Sequence, residues 1–282
     1  MRKILIPTDF SDNAMNAIKY ALELFKYHKS KFYIMHAYQD EIYADETVLN
    51  RNKLATVTKQ VHNASTKKLD NVLKQIKEIS PNPRHEYFAL PANSVLVDEA
   101  DRIVDKENID IIVMGTRGET NDRRMTFGSN TLQVLKYVAC PVLAIPENYN
   151  YTQPKHIMFP TNYMIPYKRR ELKLFCDMAS PFRATIDMVY ISMSDKLSMR
   201  QEDNREFVKN ELCKNPINFI AIKQKDITKS ILKYIETNNI DMLVMVNTRQ
   251  SFLEDILFQN RVSRLTLELE IPFLAMQNIK RI

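Results

Sequence analysis

The sequence predicts an α/β protein made of two tandem units, each a doubly wound, five-stranded parallel sheet with helices on both faces. Two observations carry the fold class. Short, uniformly apolar runs such as Ile111-Ile112-Val113-Met114 alternate with longer stretches of helical period, as expected of strands buried on both faces and joined by crossover helices. The alternation lapses over residues 148–154 and then begins again. A third observation gives the tandem arrangement: residues 155–162 (KHIMFPTN) echo residues 2–9 (RKILIPTD), residues 239–245 echo 108–114, and residues 271–276 echo 140–145. We therefore divide the chain into a unit at 1–147, a linker at 148–154 and a second unit at 155–282.

Taken in order, residues 3–7 form a first strand. Ser11 or Asp12 caps a first helix that carries Ala14, Ile18, Ala21, Leu22 and Phe25 on one face. Residues 31–37 are a second strand. Residues 45–79, with Val48, Leu54, Val57, Val61, Leu69, Val72 and Ile76, read as one long amphipathic helix, ended by Ser80-Pro81-Asn82-Pro83. Residues 85–90 make a third strand, and Ser94 caps a helix bearing Val95, Val97, Ala100 and Val104. The fourth strand, 111–114, leads through a loop to a helix at 131–137 with Ser129 as candidate cap, and 141–145 closes the unit. The offset between the copies is 153 at the first match and 131 at the later two, so the second unit is 22 residues shorter between them. Residues 192–212 stand where 45–79 stood.

Composition narrows the function. The 282 residues suit two domains of ordinary size, and 45% hydrophobic with 26% charged residues describes a folded protein with a substantial core. The apolar runs are strand-sized and the chain enters a strand at once, so we expect no signal peptide, no transmembrane span and a cytoplasmic location. The net charge of +6 arises where lysines alternate with acids, as in KKLD at 67–70 and KQIKE at 74–78; this is a solvated helix face, and we expect no nucleic-acid binding. Cys140, Cys176 and Cys213 are odd in number and widely separated, which suits reduced thiols and no metal site. The five histidines show no ligand pairing and read as isolated surface or strand-end residues.

The chemistry concentrates in residues 110–130. Average usage would give roughly twenty glycines in a chain of this length; there are three, Gly115, Gly118 and Gly128, and all lie here. Gly115 and Gly118 are expected to supply positive φ and close backbone approach in the loop after the fourth strand. Gly128-Ser129 opens the next helix, where orphan N–H groups and the positive end of the helix dipole converge into an anion site. Arg117, Arg123 and Arg124 are either bidentate donors to outer phosphates or solvated loop arginines.

Gly115-x2-Gly118-x9-Gly128-Ser129 is similar to the glycine signature of ATP-binding universal stress proteins. Pro7-Thr8-Asp9-Phe10-Ser11 resembles that family's opening strand and turn, and Cys140-Pro141-Val142-Leu143-Ala144-Ile145-Pro146 resembles its closing strand. The resemblance implies a Rossmann-like strand order 3-2-1-4-5, with the reversal between the strands ending at Pro7 and Met114, so that Asp9 and Gly115 face one cleft. It implies a nucleotide site formed by Pro7, Thr8, Asp9, Ala37, Met114, Gly115, Arg117, Gly118, Gly128, Ser129 and Asn130, holding ATP or a related adenine nucleotide with or without Mg2+. The Asp9 carboxylate would accept from the ribose, or serve only an Asx-turn; the Ala37 backbone would meet the adenine. The implied role is stress-response regulation, and the two units are expected to pair about a pseudo-twofold axis through their last strands, as an intramolecular pseudo-dimer. Whether whole chains form a homodimer, or meet another protein partner, the sequence leaves open.

The second unit departs from the signature: Asn162 replaces Asp9, and residues 246–260 contain no glycine in any register. We therefore expect one nucleotide site per chain, in the first unit, with a degenerate second copy. The chain has no GxxxxGK[ST] loop, GxSxG elbow or kinase signature, so we expect no catalytic residues. A slow ATPase or phosphotransfer enzyme, and a scaffold that binds no nucleotide, are the alternatives.

Overall fold

The computed structural model describes residues 1–44, 51–116, 127–164, 167–194, 196–212, 214–247 and 269–277. The chain divides into two units, Met1–Asn150 and Tyr151–Ile282.

In the first unit the order is β1 (Arg2–Pro7), α1 (Asp12–Leu24), β2 (Ser30–Ala37), α2 (Gln39–Tyr43), α3 (Arg51–Ile79), β3 (His85–Ala92), α4 (Leu96–Glu107), β4 (Ile111–Gly115), α5 (Ser129–Tyr137) and β5 (Val142–Ile145). The strands are all parallel, in the order β3-β2-β1-β4-β5. The core of the sheet is β1, β4 and β5, in which Ile4, Leu5, Ile6, Ile111, Ile112, Val113, Val142, Leu143, Ala144 and Ile145 are all fully buried. That is why these strands read as unbroken apolar runs rather than alternating ones.

The helices follow the apolar period but not always the expected ends. Ser11 caps α1, accepting the Ala14 N–H at 3.2 Å. The helix expected over 45–79 is described as α3, with residues 45–50 outside the described residues, and the chain before it forms the short α2. Tyr38, Ile42 and Val57 make a small separate cluster between α2 and α3, flanked by Leu54 and Val61. Ser94 does not cap α4: the N-cap is Val95, with no side-chain acceptor. Part of the expected linker belongs to the first unit, since Asn16 Nδ2 donates to the Tyr149 carbonyl at 3.0 Å and the Tyr149 ring lies 6.1 Å from that of Tyr20.

The second unit repeats the plan with β6 (His156–Pro160), α6 (Arg169–Ala179), a 3-10 turn at Ser180–Phe182, β7 (Thr185–Ile191), α7 (Met199–Glu211), β8 (Ile217–Ile222), α8 (Ile227–Asn238), β9 (Met242–Asn247) and β10 (Phe273–Gln277). Its parallel order β8-β7-β6-β9-β10 is again 3-2-1-4-5. The shortened segment holds α7, whose N-terminus is a capping box: Ser198 Oγ accepts the Gln201 N–H, and Gln201 Oε1 accepts the Ser198 N–H at 2.9 Å. Among the described residues no helix is long and apolar enough to cross a membrane. No group of three or more His, Cys, Asp or Glu there is placed to hold a metal ion. Cys140 is buried, with its thiol 3.8 Å from the Ile109 carbonyl, and Cys213 lies outside the described residues.

Two helices end on asparagine in the left-handed region, Asn108 after α4 (φ 52) and Asn239 after α8 (φ 48), where most chains use glycine. A β-branched residue does not tolerate that conformation. Asn239→Val is therefore expected to unfold in urea with a stability about 1–2 kcal/mol below that of Asn239→Gly. Equal midpoints for the two variants would show that the helix end relaxes at no cost.

Candidate functional site

The chain leaves β1 through a side-chain-held turn. Thr8 is still tied to the sheet, its N–H donating to the Met35 carbonyl at 2.8 Å. Phe10 then adopts φ 67, a left-handed conformation that is strained for an aromatic residue. Two side chains hold it there: Thr8 Oγ1 accepts the Phe10 N–H at 3.0 Å, and Asp9 Oδ1 accepts the Ser11 N–H at 3.0 Å and the Ser11 hydroxyl at 2.6 Å. Asp9 thus makes an Asx-turn while its side chain stays exposed.

The end of β4 lies beside that of β1, because Ile4 pairs with Ile111 and Leu5 with Ile112. Beyond Gly115 the chain keeps its bond to β5, with the Thr116 N–H donating to the Ile145 carbonyl at 2.8 Å. The returning chain is fixed by the Gly128 N–H, which donates to the Thr116 carbonyl at 2.7 Å, and by the buried Thr131 hydroxyl, which donates to the Gly115 carbonyl at 2.9 Å. These two bonds set the first turn of α5 against the end of β4. Thr131 was not among the sequence candidates, and its only signal is its place three residues beyond Gly128.

Two expectations are corrected here. The N-cap of α5 is Gly128, with no side-chain acceptor, and Ser129 is the first helical residue. No glycine among the described residues has positive φ, and Gly128 sits at φ −65, ψ 162, open to any residue. What glycine provides at 115 and 128 is therefore the absence of a Cβ beside the backbone. The first intrahelical bond of α5 runs from the Leu132 N–H to the Gly128 carbonyl, so the N–H groups of Ser129, Asn130 and Thr131 precede the helical ladder and carry its positive end. Met114 is buried within β4. Arg117 and Gly118, with Arg123 and Arg124, lie outside the described residues.

Ala37 ends β2, paired with Ala92 and half-buried. The residue before it is the strand-end histidine the sequence suggests, but it is not isolated. His36 is not a surface histidine: it is 4% exposed, its Nδ1 lies 2.9 Å from Ser65 Oγ and its Nε2 2.9 Å from Glu41 Oε1. Its ring stands 4.4 Å from that of Phe10, and Lys68 Nζ lies 5.1 Å from the Phe10 ring centre. Burial pushes the His36 pKa down, opposed by the charge of Glu41, reinforced by Lys68 and opposed again by Asp9. His85 is also buried, with Nε2 3.2 Å from the Phe25 carbonyl and burial lowering its pKa.

The second unit keeps the turn and closes it. Thr161 Oγ1 accepts the Tyr163 N–H and Asn162 Oδ1 the Met164 N–H, both at 3.0 Å, with Tyr163 at φ 54. Here, however, α7 lies on the turn: Gln201 Nε2 donates to the Asn162 carbonyl at 2.8 Å and Asn204 Nδ2 to the Tyr163 carbonyl at 2.6 Å. Thr161 Oγ1 also bonds the Tyr167 hydroxyl, and Tyr163, 2% exposed, stacks on Tyr190. The segment corresponding to the glycine stretch, 248–268, lies outside the described residues.

A family model described as the universal stress protein family matches residues 1–146. A universal stress protein of Methanocaldococcus jannaschii is 28% identical over 147 residues, covering 52% of this chain and 82% of that protein. A second from the same organism is 28% identical over 154 residues, covering 51% of this chain and 94% of its own length. In fold, a universal stress protein from Archaeoglobus fulgidus aligns over 98% of this chain and 96% of its own, with a TM-score of 0.69 at 14% identity. The matched segment spans more than half of the 282 residues and contains every element from β1 to β5, and the chain belongs to the universal stress protein family.

Proposed function

We propose that the first unit binds ATP or a related adenine nucleotide, and that the chain is a nucleotide-responsive regulator acting in the cytoplasm under stress. The observation that carries this reading is a convergence: the Pro7-Thr8-Asp9 turn and the Gly115 and Gly128-Ser129 backbone stand at the adjacent carboxyl ends of β1 and β4, where the strand order reverses. The residues suit the ligand. Absent Cβ atoms at Gly115 and Gly128 leave room for phosphate oxygens, and the N–H groups of Ser129 and Asn130 at the start of α5 complement their charge. The exposed Asp9 carboxylate would accept from ribose hydroxyls, and the Ala37 backbone would meet the adenine edge. Arg117 and Gly118 would complete the phosphate side.

The residues of this site bind and orient. The sequence carries none of the nucleotide-hydrolysis or kinase signatures, so ATP would persist on the protein, with or without Mg2+, and any hydrolysis would be slow. The second unit would serve packing or partner contact, because its turn is covered by α7 and it has no carboxylate at position 162.

Calorimetric titration of the intact chain with ATP and magnesium is expected to give one site per chain. At a hundredfold excess over Kd, ATP should stabilise the unit it binds by about 2.7 kcal/mol, raising its melting temperature by roughly 5–10 °C. Two equivalent sites would reassign the second unit, and the absence of any binding would leave a scaffold.

Gly128→Val should abolish that binding and leave the fold intact. Valine accepts φ −65, ψ 162 without strain, yet its branched side chain fills the space beside the α5 N-terminus. Circular dichroism and melting without ligand should match the parent protein; an unchanged ATP affinity would mean that the glycines serve the chain path only.

A further inference from the structure

His36 touches both parts of the proposed site that do not hold phosphate. It directly precedes Ala37 at the end of β2, and its ring lies 4.4 Å from Phe10, the residue next to Asp9. Its hydrogen bonds select one tautomer of the neutral ring. Ionised Glu41 only accepts, so the Nε2 that lies 2.9 Å from it carries the proton. In the neutral ring Nδ1 is then an acceptor, and the Ser65 hydroxyl, 2.9 Å away and 3% exposed, donates to it. Glu41 on α2, His36 on β2 and Ser65 on α3 thus form one directed chain with every donor matched.

We propose that His36 is a positioning residue of the nucleotide site, holding the Ala37 backbone and the Phe10 turn to α2 and α3, and that adenine nucleotide binds tightest when this imidazole is neutral. The inference rests on the nucleotide reading above. Protonating Nδ1 turns it into a donor facing a donor, so the Ser65 hydroxyl must rotate and find another acceptor in a buried place. It also sets a cation among groups from each neighbouring element: Glu41 on α2 and Asp9 on the β1–α1 turn favour it, while Lys68 on α3 opposes it. Tyr38, whose ring centre is 6.1 Å from that of His36, continues the contact through its hydroxyl to His62 Nδ1 at 2.8 Å on α3. The imidazolium therefore loosens the attachment of α3 to β2 at the point where the base would lie. Burial, the largest influence, favours the neutral form and keeps the site competent at neutral pH.

The sign follows from linkage. A group whose protonated form is the less competent one weakens binding as pH falls through its pKa, by at most about tenfold in Kd per pH unit. The test is calorimetric titration of the intact chain with ATP between about pH 8 and pH 5, beside the variants H36Q and E41Q. For the parent chain, Kd should be level above about pH 6.5 and rise below it. In H36Q, whose amide can accept from Ser65 and donate to Glu41, that rise should vanish, leaving only the contribution of ATP's own ionisation, which both proteins share. Parallel pH curves for the parent and H36Q would overturn the proposal while leaving the nucleotide site standing. No ATP binding by the parent at any pH would overturn both. E41Q gives an independent reading should H36Q fold poorly, because the Glu41 side chain is half exposed. Removing its charge withdraws support for the imidazolium, so the pH at which binding weakens should move lower; an unmoved or higher midpoint would refute the role of His36.

Discussion

The parallel pairing of β1 with β4 is the constraint on which the rest of this structure depends. Ile4 against Ile111 and Leu5 against Ile112 bring together strands more than a hundred residues apart, and all four side chains are fully buried. Because both faces of these strands are apolar, hydrophobic pattern alone does not choose their register. A carboxylate at the amino end does: Asp110 accepts the Lys3 N–H at 3.0 Å and meets the Arg2 guanidinium at 3.3 Å. The second unit uses the same device, with Asp241 accepting the Lys155 and His156 N–H groups at 2.8 Å beside the pairing of Ile157 with Met242. Once this register is set, the ends of β1 and β4 emerge level and the strand order reverses between them.

Scarcity of glycine shapes everything that leaves the sheet. Six described residues other than glycine adopt positive φ, among them Phe10, Tyr163, Asn108 and Asn239. Each aromatic residue in that conformation costs on the order of 1–2 kcal/mol unless its surroundings hold it. At Phe10 and Tyr163 the hold is a pair of side chains, threonine two residues before and an Asx residue between, and the outcome is a turn whose shape is fixed without glycine. The glycines that remain, at 115 and 128, have ordinary dihedrals and contribute empty space.

The strands were legible because they are local and redundant, whereas their order came from the resemblance to universal stress proteins. Four or five consecutive apolar residues between polar punctuation form little else than a buried strand, and the duplicated segments support one another. Gly115 and Gly128 stood out through composition and spacing, and Asp9 through the family resemblance of its turn. The rest depends on distance in the chain: the bond between His36 and Ser65 joins positions 29 apart, and nothing local distinguishes Ser65 from the other polar residues of α3. The left-handed Phe10 has no signature either, since its conformation is imposed by Thr8 and Asp9. Ser94 and Ser129 misled by one residue because a cap depends on where the chain enters the helix, and at both sites the preceding or following backbone takes that place.

The two copies of the turn are built by one side-chain device. Asp9 and Asn162 differ by a single atom, and in both the Oδ1 oxygen accepts the N–H two residues on at 3.0 Å. The turn uses that oxygen in both units, and it closes with a carboxylate in one and an amide in the other. In the second unit Gln201 and Asn204 of α7 bond the carbonyls of residues 162 and 163. At the matching turn of the first unit, α3 offers Lys68 above the Phe10 ring, and the Asp9 carboxylate stays exposed. That exposed carboxylate is the group on this turn that the proposed nucleotide site would use. The second turn keeps the same shape with an amide at that position and two amide side chains of α7 on its carbonyls, so one device serves both units while the groups around it differ.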